Sequence, residues 1–437
     1  MLLYKEIIQN PFKEIYINDS KYSFHDILNE INIKSESLKK YQNMSAILDT
    51  KDKKLLIINF YACNKNNIKV YMANDITIKK ARLLKPNFNL LIKEKNYILT
   101  KKKNRLDKNI CLLLGTTGTT DKSKYVFLTN KNISFISSQM NHEMKIKNNN
   151  HEFIFAPLDH AFGFGRLHSI LKSSSSLTTL DTMNFSDLFN FYKKNMCNAI
   201  SMPAKILEKI LEANSSLFFK TFKKCKYIQL SSGFFPLKLR KKLLKNKINL
   251  FINYGSTEAM RSTFLDCNRY PKKIHTEGKP FKKVKICLDN LKSNNGELLV
   301  KGPNIAYGYS DKKSWNKKFI DGWYRTGDLV KIDKDQFITY LGRVDNNINI
   351  NGIMYSLIDI EKLLINKLKL KNIKILHNTK NNQLYLFTDG VLDISKIYKI
   401  LIDYKFNIVF KNIFFNVNFS FHDNGKHKTL NLRKMMK

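Results

Sequence analysis

The chain reads as an α/β protein, and three observations lead there. Short apolar runs recur that end abruptly in small residues. Residues 110–114 precede Gly115, Tyr227-Ile228-Gln229-Leu230 precedes Ser231-Ser232-Gly233, and Phe251-Ile252 precedes Asn253-Tyr254-Gly255. Runs of that length bounded by turn residues predict buried strands. Between them lie segments of helical apolar spacing, as in 23–38 and the basic 238–245. At 437 residues, with 43% hydrophobic and 12% aromatic content, the chain can bury a sizeable core in two to three domains.

Taken in order, 14–17 predicts a strand and 23–38 a helix, while 55–58 and 70–72 are short apolar runs between polar segments. The 110–114 strand runs into Gly115-Thr116-Thr117-Gly118-Thr119-Thr120, then Lys122 and Lys124. Small residues leave backbone N–H groups uncovered and threonine hydroxyls add donors, so such a loop suits either a polar turn or a phosphate chain. It is not a Walker loop, because Asp121 and Thr116 stand where Gly-x-x-x-x-Gly-Lys-Ser requires glycines. The apolar run 153–155 leads through Pro157 to Asp159-His160-Ala161-Phe162-Gly163, a loop entering a helix. His160 is a structural histidine or a site residue, and Asp159 an ordinary loop residue or an ammonium partner. Gly233 allows close backbone approach. In Tyr254-Gly255-Ser256-Thr257-Glu258 an aromatic ring can stack on a base, a hydroxyl can donate to phosphate, and a carboxylate can hold Mg²⁺. The stretch 294–303, continuing to Tyr307-Gly308-Tyr309, reads as hairpin glycines setting register, with no chemistry. Last come Trp323-Tyr324-Arg325-Thr326-Gly327-Asp328-Leu329 and Gly342-Arg343-Val344-Asp345, with Asp328 able to accept two hydroxyls.

Charge and cysteine usage bound the rest. A net charge of +40 is compatible with nucleic acid, an anionic surface or acidic partners. Lysine, asparagine and isoleucine nevertheless abound along the whole chain without a basic tail, which favours codon bias over nucleic-acid binding. No apolar run approaches a membrane span, and the first residues lack a secretory core. Six scattered cysteines without Cys-x-x-Cys argue against zinc or disulfide frameworks. The expected location is cytoplasmic.

The order Thr116-Thr117-Gly118-Thr119-Thr120…Lys124-x-Val126-x-x-Thr129, then Tyr-Gly-x-Thr-Glu at 254–258, then Trp-Tyr-Arg-Thr-Gly-Asp-Leu at 323–329 resembles the class I adenylate-forming (AMP-binding) superfamily. That family holds acyl-CoA synthetases, luciferases and peptide-synthetase adenylation domains. The resemblance implies an α/β fold: a large N-terminal domain (1–343) of stacked αβ subdomains with a β-barrel-like part, its first subdomain short. A small mobile α+β lid (344–437) would follow a hinge at Asp345. It also implies an AMP-forming acid–thiol ligase using ATP, Mg²⁺ and either CoA or the phosphopantetheine of an acyl carrier protein. By the same resemblance Thr116, Thr117, Gly118, Thr119, Thr120 and Lys124 hold phosphates, and Gly233, Asn253, Tyr254 and Gly255 border adenine. Asp328 takes ribose, and Arg343 ribose or phosphate. Thr257 and Glu258 serve phosphate and metal, His160 closes the acyl pocket with Phe162 and Gly163 shaping its wall, Gly352 borders the thiol channel, and Lys426 is the catalytic lysine.

The sequence departs from the family pattern at Asp121, Ser123, Tyr125 and Asn130, and Asn349 stands where many relatives carry lysine. Two other readings therefore stay open: an amino-acid-adenylating enzyme, with Asp159 on the substrate ammonium, or a weakened nucleotide binder or basic nucleic-acid binder on the same scaffold.

Overall fold

Five sheets form in the computed structural model, which describes residues 2–73, 88–93, 96–99, 106–107, 109–116, 124–182, 184–233, 235–289, 295–350, 353–378, 381, 383–419 and 429–436. The largest has nine strands, in the order Lys279–Pro280, Thr263–Asp266, Leu250–Tyr254, Tyr227–Ser231, Ala199–Pro203, His151–Ile154, Ser176–Thr179, Glu14–Ile17 and Ser20–Ser23. Its middle, from Leu250–Tyr254 across to Glu14–Ile17, is parallel, and the outer pairings are antiparallel. Parallel strands covered on both faces are buried along their length, and Tyr227–Ser231 and nearly all of Ala199–Pro203 are so, with Gln229 and Ser201 buried among their apolar neighbours. Because these strands run the same way, several of their C-terminal ends open onto one rim, carrying Gly233 and Gly255.

A seven-stranded sheet takes the order Gly308–Tyr309, Lys124–Thr129, Ile110–Thr116, Lys69–Ala73, Ser45–Asp49, Leu90–Ile92 and Asn96–Ile98. The expected phosphate loop joins its Ile110–Thr116 and Lys124–Thr129 strands, which pair antiparallel. The third sheet is antiparallel throughout, built on the long strand Trp323–Ile332 flanked by Asn295–Lys301 and Ile338–Arg343. It supplies the β-rich part that the resemblance implied.

The helices follow from local rules. Ser23 caps Phe24–Leu38 reciprocally: its hydroxyl accepts from the Asp26 N–H, and the Asp26 carboxylate accepts from the Ser23 N–H at 2.8 Å. The 55–58 run belongs to the helix Lys53–Lys65, capped by Asp52 and buried on nearly every side from Leu56 to Asn64. Beyond the third sheet a separate apolar core forms from Ile348, Leu357, Ile360, Leu364, Ile373, Leu386 and Leu401. It lies under the hairpin Asn347–Ile350/Ile353–Ser356 and the three strands Ile373–Asn378, Gln383–Thr388 and Phe410–Phe414. Among the described residues no helix is long and apolar enough to cross a membrane.

Candidate active site

Tyr254 ends the Leu250–Tyr254 strand, and its hydroxyl donates to Asp328 Oδ2 at 2.5 Å. Burial, and then the neighbouring Asp328 carboxylate, push the Tyr254 phenol well above its ordinary range, so the proton stays on the tyrosine. Asp328 Oδ1 accepts from Arg343 Nη1 at 2.9 Å, and the same guanidinium nitrogen donates to the Thr326 carbonyl at 2.8 Å. Gly327 lies between at φ +74°, where a Cβ would sit 2.6 Å from Arg343 Nη2. Glycine is needed here for both the backbone angle and the passage of the guanidinium. Glu297 Oε1 accepts the Gly327 N–H at 2.8 Å, and the Thr326 hydroxyl donates to the Leu298 carbonyl at 2.8 Å. Asp328 is therefore held in place by side-chain and backbone bonds from both flanking strands.

Glu258 stands four residues past Tyr254, half-buried beside Thr257. Its Oε1 accepts from the Tyr309 hydroxyl at 2.7 Å, and Tyr309 in turn lies 3.3 Å, oxygen to oxygen, from Tyr324 on the strand that carries Asp328. Two carboxylates, Glu258 and Asp328, are thus tied to one strand. Among the described residues no cluster of three or more His, Cys, Asp or Glu is placed to hold a metal. One carboxylate does suit Mg²⁺, which keeps its waters and takes further oxygens from substrate phosphates.

On the other side, Ala161–Leu171 begins at His160, whose exposed side chain makes no capping hydrogen bond. Phe162 is buried, and Asp159 is half-buried in the turn before it. Arg261, three residues after Glu258, is buried and donates to the carbonyls of Ala161 and Phe162 at 3.3 and 2.5 Å. Burial, and then the nearby Arg166, pull its pKa down to about 9. The guanidinium fits because Gly165 has no Cβ, which would lie 2.3 Å from Arg261 Nη1. Arg261 therefore braces the start of the His160 helix against the Glu258 loop. At the neighbouring strand end Gly233 has φ +140° and open space where a side chain would be.

Tyr254, Gly255, Thr257, Glu258, Asp328 and Arg343 thus come together. Asn253 does not join them: it is buried, and its amide is engaged by Gln229 at 2.5 Å and the Thr263 carbonyl at 3.4 Å. A side chain so engaged ties its strand to the neighbouring ones. The stretch 307–309, read as register alone, places Tyr309 on Glu258. That contact spans 51 residues of sequence, and the Gly-Tyr pair gave no local sign of it. Thr117, Gly118, Thr119, Thr120, Asp121, Ser123, Gly352 and Lys426 lie outside the described residues, as do the side chains of Thr116, Lys124, Asp345 and Asn349.

The family model for AMP-binding enzymes matches residues 40–310. The 2-succinylbenzoate–CoA ligase of Bacillus subtilis (strain 168) is 26% identical over 262 residues, 58% of this chain and 53% of its own length. The oxalate–CoA ligase of Arabidopsis thaliana is 28% identical over 267 residues, 58% of this chain and 52% of its own. The chain spans about half the length of the curated relatives it matches. Among solved structures, the O-succinylbenzoate coenzyme A synthetase of Bacillus subtilis in complex with AMP superposes with a TM-score of 0.79 at 18% identity, covering 98% of this chain and 96% of that one. ATP-bound MatB from Rhodopseudomonas palustris gives 0.79 at 14%, covering 100% and 98%. At those identities the likeness shows the fold: a large α/β N-terminal part and a small C-terminal one.

Proposed function

We propose that the chain, which belongs to the family of AMP-binding enzymes, activates a carboxylic acid with ATP and passes the acyl group to a thiol. A carboxylate oxygen attacks the α-phosphorus, the bond to the bridging oxygen breaks, and pyrophosphate leaves. The thiol sulfur of CoA or of carrier-bound phosphopantetheine then attacks the acyl carbon and displaces AMP. The observation that carries this reading is Asp328, clamped by Tyr254 and Arg343 and joined through Tyr324 and Tyr309 to Glu258.

Each residue has a task in that reaction. Asp328 accepts the ribose hydroxyls, which fixes where the α-phosphate lies. Tyr254, the open backbone at Gly233, and Gly255 border the base. Thr257, Thr116–Thr120 and Lys124 donate to phosphate oxygens, where one well-placed donor is worth about 3 kcal/mol of barrier. Glu258 would hold Mg²⁺, which supplies charge neutralisation at the phosphates when bound. His160, with Phe162 and Gly163, forms the acyl wall. Residues 344–437 act as the lid, turning at Asp345 to bring Lys426 to the phosphates and then withdraw it for the thiol. The named relatives act on acids carrying a second polar group or carboxylate, so acids of that kind head the substrate search.

Pyrophosphate release from ATP and Mg²⁺, measured with a panel of dicarboxylic, aryl, fatty and amino acids, tests the reading. The expected result is release that depends on one class of acid, with a hydroxamate formed when hydroxylamine traps the adenylate. ATP binding without acid-dependent release from any member would leave a nucleotide binder and reject the ligase.

A further inference from the structure

The segment around Tyr309 ties three parts of the site together. Its backbone lies along Lys124–Thr129, with Gly308 opposite Phe127 and Tyr309 opposite Val126. The Ser310 N–H donates to the Tyr125 carbonyl at 2.9 Å, and the Tyr125 N–H returns a bond to the Ser310 hydroxyl at 3.1 Å. Just upstream, the Ala306 N–H donates to the Glu258 carbonyl at 2.8 Å, and Ile305 bridges Ala259. One short segment thus spans from the strand that leaves the expected phosphate loop to the loop that carries Glu258.

The Tyr309 ring is held as firmly as its backbone. It is 9% exposed and packs edge-on against Trp315 with centroids 5.2 Å apart. Trp315 itself stacks on Phe319 and Tyr324, at 5.1 and 5.8 Å. A hydroxyl so fixed, 2.7 Å from Glu258 Oε1, sets the direction of that carboxylate. An ionised carboxylate has about four lone-pair sites, so one O–H bond leaves room for a cation.

We propose that Tyr309 is a positioning residue that orients Glu258 toward the divalent cation of a bound nucleoside triphosphate. The inference rests on the nucleotide reading above. Losing a partner that orients a metal-binding carboxylate costs about 10–100-fold in metal affinity. Tyr309→Phe keeps the ring and removes the hydroxyl, so packing against Trp315 survives.

The test is calorimetric ATP binding across a Mg²⁺ titration, with Mn²⁺ paramagnetic resonance in the presence of a non-hydrolysable ATP analogue as a second readout. The variant is expected to need about tenfold more Mg²⁺ to reach the same ATP affinity. Its metal-free ATP affinity and melting temperature should stay near those of the parent, and pyrophosphate release should recover at high Mg²⁺. A variant with the parent's metal titration, whether or not its melting temperature falls, overturns the role of Tyr309 and leaves the nucleotide reading standing. A parent chain whose ATP binding ignores Mg²⁺ overturns the role of Tyr309 alone, and one that binds no ATP overturns both.

Discussion

A Cβ on Gly163 would lie 2.1 Å from the Pro157 carbonyl oxygen and 2.7 Å from its carbon. Backbone cannot step aside as a flexible side chain can, so Gly163→Ala must displace either the turn at Pro157 or the first turn of Ala161–Leu171. Such overpacking costs about 1–3 kcal/mol. The expected result is a urea midpoint lowered by about 2 kcal/mol of stability, with binding of the acid weakened because Phe162 moves with the turn. An unchanged midpoint would mean that the turn relaxes freely. Residues of this kind are legible in the sequence, because small residues at strand ends and helix starts declare themselves by type. Asn253 shows the limit: it sits within the same motif as Tyr254, yet strand alternation points its side chain inward. Motif membership could not tell the two apart.

At the scale of elements, the helix Leu2–Gln9 is too short to stand alone; buried Leu3 and Ile7 seat it on the core, and Glu6 ties it to distant polar groups. Glu6 accepts from Lys172 at 2.7 Å, from the Ser134 hydroxyl at 2.5 Å and from His168 Nε2 at 2.8 Å. His168 Nδ1 lies 2.8 Å from the Tyr61 hydroxyl. Burial, the largest influence on His168, lowers its pKa, and a neutral ring accepting from Tyr61 and donating to Glu6 satisfies both neighbours. Burial alone would raise Glu6, but His168, Lys172 and Ser134 outweigh it and bring it to about 2. Glu6→Gln leaves the Lys172 ammonium short of an anion in a mostly buried place, with an expected loss of about 3 kcal/mol. Chemical denaturation measures it, and a loss below about 1 kcal/mol would class the pair with ordinary surface bridges. No sequence pattern announced this cluster, since its bonds to His168 and Lys172 span 162 and 166 residues. The helices themselves were legible by spacing and caps, but the pairing between distant polar groups is decided by topology. The same reason hid Tyr309 and the brace from Arg261 to Ala161 and Phe162.

At the scale of the whole molecule, 76 lysines and arginines face 36 acidic residues, and lowering the pH adds to an existing positive excess. Acid therefore destabilises in two separable ways. Self-repulsion grows as carboxylates are neutralised, and salt screens it. Buried histidines act differently. His151, whose Nε2 lies 2.9 Å from the Thr178 hydroxyl, is pulled down to about 4 by burial, with nearby Glu14 only partly opposing. His168 is lowered in the same direction. A histidine with a depressed folded pKa binds its proton more readily in the unfolded chain. Its contribution to stability is whole above about pH 6.5 and falls as pH drops from there toward 4. For His151 the full span amounts to about 3 kcal/mol. Urea midpoints between pH 7 and 4, taken at high salt to suppress the repulsion, should still slope downward in the parent chain. His151→Gln, which cannot titrate, should make that slope shallower between pH 6.5 and 4 while leaving the share of His168 and the part below 4.5 that Glu6 contributes as it is protonated toward about 2. An identical slope in the variant would remove His151 from the acid sensitivity and leave it to His168, Glu6 and residual net charge.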